Sequence, residues 1–355
     1  MKTAIMVALA VFSCVMSSQL RSEEAITKSD SKKILSYLAS DELEGRGTGQ
    51  EGNAKAARFI ANKFKEYGLE RYDEHGYFQH FTYPGVRGLR PLERPLELLG
   101  VVGARVTINA VNVVGVIRGK TSKCILFGAH FDHLGIKKDT SLFRTGKDKI
   151  YNGADDNASG TTGLLELAEA FGKSGKKPHH TLVFVAFGAE EIGLIGSRYY
   201  ANYPVLPLKN HKLMINLDMI GRLKESKKEW RGLSNAVQWN KVRKSKEPVT
   251  LDLQSGNLPK KIKDLIYKLD DNYPFRFKLS IAGWRSDHAE FNSQGVPVLF
   301  FHTGEHPQYH QPPDDEHLIN YEGLVNITKF VFNLVDKIEE SVLPIAPPPP
   351  PLEKE

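Results

Sequence analysis

Cysteine is scarce in this chain of 355 residues, which contains only Cys14 and Cys124. Two cysteines are too few for the disulfide framework that stabilises many small secreted domains. The composition favours an apolar core instead, because 41% of the residues are hydrophobic and 25% are charged. That balance also excludes general disorder of the chain.

A strong excess of charge of one sign is missing too. There are 48 lysines and arginines against 42 aspartates and glutamates, which gives a net charge of +6. The densest basic stretch, residues 222–246, contains acidic residues and lacks the long basic stripe and the recognisable module of a nucleic-acid-binding domain. We therefore expect a solvated loop or face there and no nucleic-acid partner.

The apolar run at the start of the chain, residues 4–12, is too short to span a membrane. Lys2 precedes it and small serines follow it, which is typical of a secretory signal peptide. We predict that residues 1–22 are a leader and that the protein is exported to the periplasm or the cell exterior. The tetrapeptide that ends at Cys14 also resembles a bacterial lipobox, so lipidation of Cys14, with anchoring to a membrane, is a second interpretation.

Internal repeats and dividing linkers are absent as well. No repeat of about 20 to 50 residues is visible, and no linker interrupts residues 25–342. The sequence therefore predicts one domain over residues 23–342. The proline-rich end, residues 343–355, is expected to be an extended and solvated tail.

Four runs are apolar on both faces and are separated by helical patterns: residues 124–127, 181–187, 213–217 and 296–301. Residues 76–119 contain shorter runs rich in aromatic and β-branched side chains, which predict further strands. A last amphipathic helix is predicted over residues 322–339. Together these patterns predict an α/β fold with a mostly parallel, mixed central sheet and helices on both faces.

Ionisable residues follow the apolar runs, at the positions where an open parallel sheet binds its ligand. They form five clusters: residues 130–133, 155–156, 190–191, 218–222 and 302–315. Several carboxylates brought together repel one another unless a cation compensates them. A set of two histidines, two aspartates and one glutamate is typical of Zn²⁺ or a similar borderline metal, and it contains too much nitrogen for Ca²⁺ or Mg²⁺.

The order of these motifs closely resembles the exported two-zinc aminopeptidase family, which is related to plasma glutamate carboxypeptidase, transferrin receptor and glutaminyl cyclase. The resemblance covers roughly residues 34–340 and begins with the signature-like stretch 38–49, Leu-Ala-Ser-Asp-Glu-Leu-Glu-Gly-Arg-Gly-Thr-Gly. It implies a zinc aminopeptidase-like fold and a metallopeptidase domain. It also implies hydrolysis of the N-terminal bond of a peptide with a free N-terminus, by a hydroxide that two Zn²⁺ per chain activate.

The resemblance also implies the zinc ligands. His130 and Asp218 would hold one ion, Glu191 and His310 would hold the other, and Asp155 would bridge the two. In the family, the peptide bond that follows the bridging aspartate is cis, which corresponds here to the bond between residues 155 and 156.

Two further roles follow from the resemblance. Glu190 would be the general base, and Asp132 would orient His130 by accepting its second ring N–H. Asp287 is either a contact near the substrate amine or a structural residue, and Tyr309 either donates to the reaction intermediate or packs. Other side chains are expected to support the ligands or line the substrate pocket: His133, His302, His306, Tyr77 and Trp284.

Residues 223–256 do not follow the sequence pattern of the family, so the substrate side chain that the enzyme prefers is not predicted. No room is left for the protease-associated insertion that some members carry before His130. A glutaminyl cyclase is disfavoured because one zinc needs only three protein ligands, whereas this chain keeps five. The intact ligands also argue against a non-catalytic binding domain, and a dipeptidase or carboxypeptidase on the same frame remains an alternative.

Overall fold

The computed structural model describes residues 23–74, 76–86, 105–137, 149–223 and 249–341. The predicted leader with Cys14, the proline-rich tail and most of the basic stretch lie outside these residues. Within the described part of the chain, no helix combines the length and apolarity that crossing a bilayer requires.

The described residues form eleven strands: β1 (Glu70–Arg71), β2 (Phe78–Val86), β3 (Arg105–Ile117), β4 (Cys124–His130), β5 (Gly135–Lys137), β6 (Lys149–Tyr151), β7 (Thr181–Phe187), β8 (His211–Leu217), β9 (Val249–Gly256), β10 (Phe275–Ile281) and β11 (Val298–Phe301). Nine of them build the central sheet in the order β1-β3-β7-β4-β8-β11-β9-β10, with β2 paired to β3. Strands β7, β4, β8 and β11 are parallel to one another, while β3 and β9 run antiparallel to their neighbours β7 and β11. The predicted mixed, mostly parallel centre is thus confirmed.

Seven α-helices accompany the strands in the described ranges: α1 (Lys28–Leu38), α2 (Glu51–Glu66), α3 (Gly160–Gly172), α4 (Ile195–Asn202), α5 (Lys260–Leu269), α6 (His288–Ser293) and α7 (Tyr321–Ser341). Successive strand residues point to opposite faces of the sheet. On one face, Ile125 and Phe127 of β4 belong to the hydrophobic core to which α1, α2, α3, α5 and α7 also contribute. Cys124 and Leu126 pack with α4 and α6 on the other face. Burial on both faces explains why these strands are apolar throughout.

Glu166 is a carboxyl group buried within the helix layer on α3. The Ser31 hydroxyl donates to its Oε1 at 2.7 Å, and burial raises the pKa of Glu166 to about 8. An unfolded glutamate titrates near ~4.3, so between about pH 4 and pH 8 the unfolded state releases a proton that the folded state keeps. The folded protein therefore loses stability as the pH rises through that window.

We expect Glu166→Gln to remove most of this loss, and to be more stable than the wild type at about pH 9 by on the order of a few kcal/mol. The measurement is urea unfolding at about pH 5 and about pH 9. Glu169→Gln, on the same helix, is the control because Glu169 pairs with Lys173 near the surface. An identical pH dependence in wild type and Glu166→Gln would contradict the prediction.

Candidate metal centre

The parallel central strands bring the predicted clusters to one edge of the sheet. β4 ends at His130 between β7 and β8, which are parallel to it. Glu190 and Glu191 follow β7, and Asp218 follows β8 directly. The carboxyl ends of parallel strands therefore place these side chains around a common point, as the sequence predicts.

The first group of side chains surrounds the ring of His130. Its Nε2 lies 3.3 Å from Oδ1 of Asp156 and 3.3 Å from Oδ1 of Asp218. The ligand atoms of these three residues lie within 4.8 Å of one another. Oε2 of Glu190 lies 4.0 Å from the same nitrogen, so Glu190 stands beside this group.

The second group lies on the other side of Asp156. Nε2 of His310 is 3.0 Å from Oδ2 of Asp156 and 3.3 Å from Oε2 of Glu191. Nδ1 of His133 is 2.6 Å from Oε1 of Glu191. The ring of His133 fits here because Gly153 has a φ of 55°, and a Cβ added at that position would lie 2.4 Å from the ring.

Asp155, the residue predicted to bridge the two groups, does not lie between them; Asp156 lies there instead. Oδ1 of Asp155 instead accepts from the backbone N–H of Gly221 at 2.7 Å and from the hydroxyl of Ser159 at 3.0 Å. Its Oδ2 lies 3.3 Å from Nε2 of His306. The cis peptide bond likewise joins Asp156 to Asn157, one residue later than predicted.

Two side chains hold the Asp156 turn in place. Oδ2 of Asp314 accepts the backbone N–H groups of Asp155 at 3.0 Å and of Asp156 at 3.1 Å. The Asn157 amide donates to the carbonyl of Leu217 at 2.9 Å and accepts the N–H of Met219 at 3.1 Å. The segment that carries Asp218 is thereby fastened to the segment that carries Asp156.

Asp132 has a different set of contacts from the one predicted. Nδ1 of His130 lies 3.1 Å from the backbone carbonyl oxygen of Asp132, whereas Oδ1 of the Asp132 carboxylate is 3.8 Å away. That carboxylate accepts the backbone N–H groups of Glu190 at 3.0 Å and Glu191 at 3.3 Å, and the hydroxyl of Thr48 at 2.9 Å. Asp132 therefore links the His130 segment to the two glutamates.

The pKa values of the neighbours Glu190 and Glu191 move in opposite directions. Burial, with the charges of Asp287 and other nearby carboxylates, raises the pKa of Glu190 well above its usual range. Burial also raises the pKa of Glu191, but His133 and His310 outweigh it and lower that pKa to about 2. Paired groups whose pKa values are driven apart are typical of one proton-transfer residue beside one permanently charged residue.

The polar atoms at this site fit a divalent metal. In the described part of the chain, Nδ1 and Nε2 of His133, Oδ2 of Asp156 and Oε1 of Glu191 are buried and form no hydrogen bond of good geometry, although Nδ1 of His133 lies 2.6 Å from Oε1 of Glu191 and Nε2 of His310 lies 3.0 Å from Oδ2 of Asp156. Buried polar atoms that lack partners are costly, and a cation between the nitrogen and oxygen atoms would satisfy them. Mixed imidazole and carboxylate donors at these spacings suit Zn²⁺.

A cleft of about 1200 Å³ opens over both groups. Tyr309 lines it and stacks on the ring of His310 at 3.9 Å, and Trp284 stands at its rim with 70% of its surface exposed. His302 lines the cleft as well. Tyr77, predicted as a pocket residue, is instead half-buried, and its hydroxyl donates to the carbonyl of Leu69 at 2.7 Å. Asp287 is fully buried, and burial raises its pKa to about 7.

The sequence also matches a known protein family. The model of peptidase family M28 matches residues 112–335, which is more than half of the chain. Among curated proteins, aminopeptidase YwaD of Bacillus subtilis (strain 168) is 28% identical over 246 residues, which cover 64% of this chain and 45% of that protein. The chain therefore spans less than half the length of this relative.

Solved structures share the fold. An aminopeptidase from Aneurinibacillus sp. strain AM-1 superposes with a TM-score of 0.66 at 19% identity, over 95% of this chain and 98% of that one. Glutaminyl cyclase from Porphyromonas gingivalis gives 0.59 at 16% identity, over 88% and 98%. These superpositions show a common architecture, and architecture alone does not separate hydrolysis from cyclisation.

Proposed function

Because the chain belongs to peptidase family M28, we propose that it is a zinc-dependent exopeptidase, specifically an aminopeptidase that acts on peptides with a free N-terminus. The observation that carries this proposal is the position of Asp156. Its two carboxylate oxygens face two separate groups of nitrogen and oxygen atoms. A carboxylate placed in this way is suited to bridging two divalent cations.

The proposed ligands of the two Zn²⁺ ions are His130, Asp156 and Asp218 for one ion, and Asp156, Glu191 and His310 for the other. Each ion would then have both imidazole and carboxylate donors, the kind of donor set that catalytic zinc sites use. The ring of His133 contacts the carboxylate of Glu191, and we propose that His133 holds that carboxylate in place.

Bound Zn²⁺ lowers the pKa of a coordinated water toward ~7 and polarises a substrate carbonyl. Glu190 borders the cleft 4.0 Å from Nε2 of His130. A carboxylate in this position suits the role of a general base that accepts a proton from the attacking water and then donates it to the leaving nitrogen. Asp132 keeps Glu190 in position through the backbone N–H that it accepts.

The charges that line the cleft favour the N-terminal end of a peptide. Carboxylates of the site attract a free ammonium group. The two arginines among the described cleft residues are already engaged, Arg198 with Glu290 at 2.9 Å and Arg285 with Glu305 at 2.7 Å. A carboxypeptidase needs a cation for the substrate carboxylate, and at either arginine that carboxylate would have to compete with the glutamate already paired there.

The test is a panel built on one tetrapeptide in free, N-acetylated and C-amidated forms, together with a peptide that begins with glutamine. We expect release of the first residue from the free and amidated forms, and no cleavage of the acetylated form. A chelator should abolish the reaction, and added Zn²⁺ should restore it. Mass spectrometry of the products identifies each outcome.

Other outcomes would overturn the proposal in distinct ways. Loss of the last residue, blocked by amidation, indicates a carboxypeptidase. Conversion of N-terminal glutamine to pyroglutamate without cleavage indicates a cyclase. Unaltered peptides in the presence of bound Zn²⁺ indicate a binding domain.

The proposal extends to location. We propose that the chain is exported through the leader at residues 1–22, because its composition is that of a signal peptide. The N-terminal sequence of the mature protein tests this, and an intact Met1 on the cellular protein would contradict it.

A further inference from the structure

Arg46 is a fully buried cation outside residues 112–335, the part of the chain that matches the family. Its guanidinium makes four hydrogen bonds, all to backbone carbonyl oxygens. Nε donates to Phe131 at 2.8 Å, Nη1 to Leu38 and to Asn152 at 2.7 Å, and Nη2 to Gly153 at 2.9 Å. Such forked donation is specific to arginine, since lysine has a single charged nitrogen.

The carbonyl groups that Arg46 binds belong to the segments that carry the proposed ligands. Phe131 directly follows His130, and Asn152 and Gly153 lead into the turn that carries Asp156. One guanidinium therefore fixes the separation between these two segments. The backbone carbonyl of Arg46 also accepts the N–H of His133 at 3.2 Å, which ties a further residue of the site to the same point.

The turn that carries Arg46 packs tightly against the neighbouring strand β6. It covers Asp41–Arg46, and Gly45 within it has a φ of 67° and lies so close to β6 that an added Cβ would be 2.3 Å from the carbonyl oxygen of Tyr151. The Asn53 amide of α2 donates to the Arg46 carbonyl at 3.1 Å. Arg46 is thus held from both sides and has little freedom to adopt another position.

We propose that Arg46 is a positioning residue that sets the distance between the His130 segment and Asp156, and that it thereby determines how tightly the site binds Zn²⁺. This inference rests on the zinc site of the proposed function. A purely structural arginine would contribute to the stability of the fold and would leave the zinc affinity of the folded protein unchanged.

The experiment measures Zn²⁺ affinity of the full chain by competition with a chromophoric chelator, using wild type, Arg46→Lys and Arg46→Gln. Lys212→Met is the matched control. Lys212 and Arg46 are the only lysine or arginine residues buried in the described part of the chain. Lys212 lies at the start of β8, roughly 20 Å along the strand from Asp218 at about 3.3 Å per residue.

We expect both Arg46 variants to bind Zn²⁺ on the order of 10- to 100-fold more weakly, the range typical of residues that orient metal ligands. The rise in melting temperature on adding Zn²⁺ should shrink accordingly, while Lys212→Met keeps the wild-type affinity. If Arg46→Gln does not fold, Arg46→Lys alone decides, because it retains the charge and loses the fork.

Wild-type affinity in a folded Arg46→Lys or Arg46→Gln would overturn the inference and leave the proposed zinc site intact. An equal loss of affinity in Lys212→Met would overturn it too, since the effect would then be general destabilisation. A wild-type protein that takes up no Zn²⁺ contradicts the proposed function itself, and the inference falls with it.

Discussion

Replacing Asp156 by asparagine is expected to weaken Zn²⁺ binding at both groups by more than about 100-fold, beyond the range for residues that only support a ligand. The reason is that Oδ1 of Asp156 faces His130 while Oδ2 faces His310, so a single substitution removes charge from both positions. Peptidase activity should fall with the metal content. Zinc content after dialysis, measured by atomic emission, checks the result.

Asp155→Asn is the matched control for this experiment. The asparagine keeps an oxygen that can accept the Gly221 N–H and the Ser159 hydroxyl, which are the contacts of Oδ1, and its amide nitrogen replaces Oδ2 beside His306. We expect this variant to retain both ions. Loss of zinc from Asp155→Asn with full retention by Asp156→Asn would reverse the assignment.

Glu190→Gln is expected to keep both Zn²⁺ ions and to lose about 10²- to 10⁴-fold in kcat, the usual contribution of a general acid or base. Its amide cannot accept a proton, but the backbone N–H that Asp132 holds is unchanged. Steady-state kinetics and zinc content, measured on the same sample, separate the chemical role from metal binding.

Glu305→Gln provides the comparison for Glu190→Gln, because Glu305 lines the same cleft and pairs with Arg285 away from the ligand atoms. It should keep zinc and most of its turnover. Full activity in Glu190→Gln would remove the base assignment, and loss of zinc from it would make Glu190 a ligand instead.

The central sheet was predictable because its strands are buried on both faces and therefore read as continuous apolar runs. The apolar runs that form β4, β7, β8 and β11 were all identified in the sequence. The resemblance of the chain to a peptidase family is confirmed by the match over residues 112–335. The pair β9 and β10 was not predicted. β10 lies at the edge of the sheet and is not buried throughout, so it does not form a continuous apolar run. β9 lies within residues 223–256, which do not match the sequence pattern of the family.

The positions of the clusters were predictable, but the choice between adjacent residues was not. Asp155 and Asp156 are identical in type, and a step of one residue along the turn points the side chain in a different direction. The local signal that distinguishes them is three-dimensional: Asp314 and Gly221 bind one side of the turn, which leaves Asp156 facing the histidines. Sequence reasoning likewise placed the carboxylate of Asp132 on His130, whereas it binds two backbone N–H groups of the neighbouring segment.

The residue that His133 contacts was not predictable either. It follows a predicted ligand by three residues in a segment that is no longer strand, so no periodicity indicates where its ring points. The open backbone at Gly153 decides this, because the ring packs directly against that glycine and reaches Glu191.

Anomalous diffraction at the zinc absorption edge, from crystals of the zinc-loaded protein, tests the proposed centre most directly. We predict two peaks, each about 2.0 to 2.2 Å from a different carboxylate oxygen of Asp156, with His130 beside one and His310 beside the other. A single peak, or two peaks joined by the carboxylate of Asp155, would contradict the bridged two-zinc site.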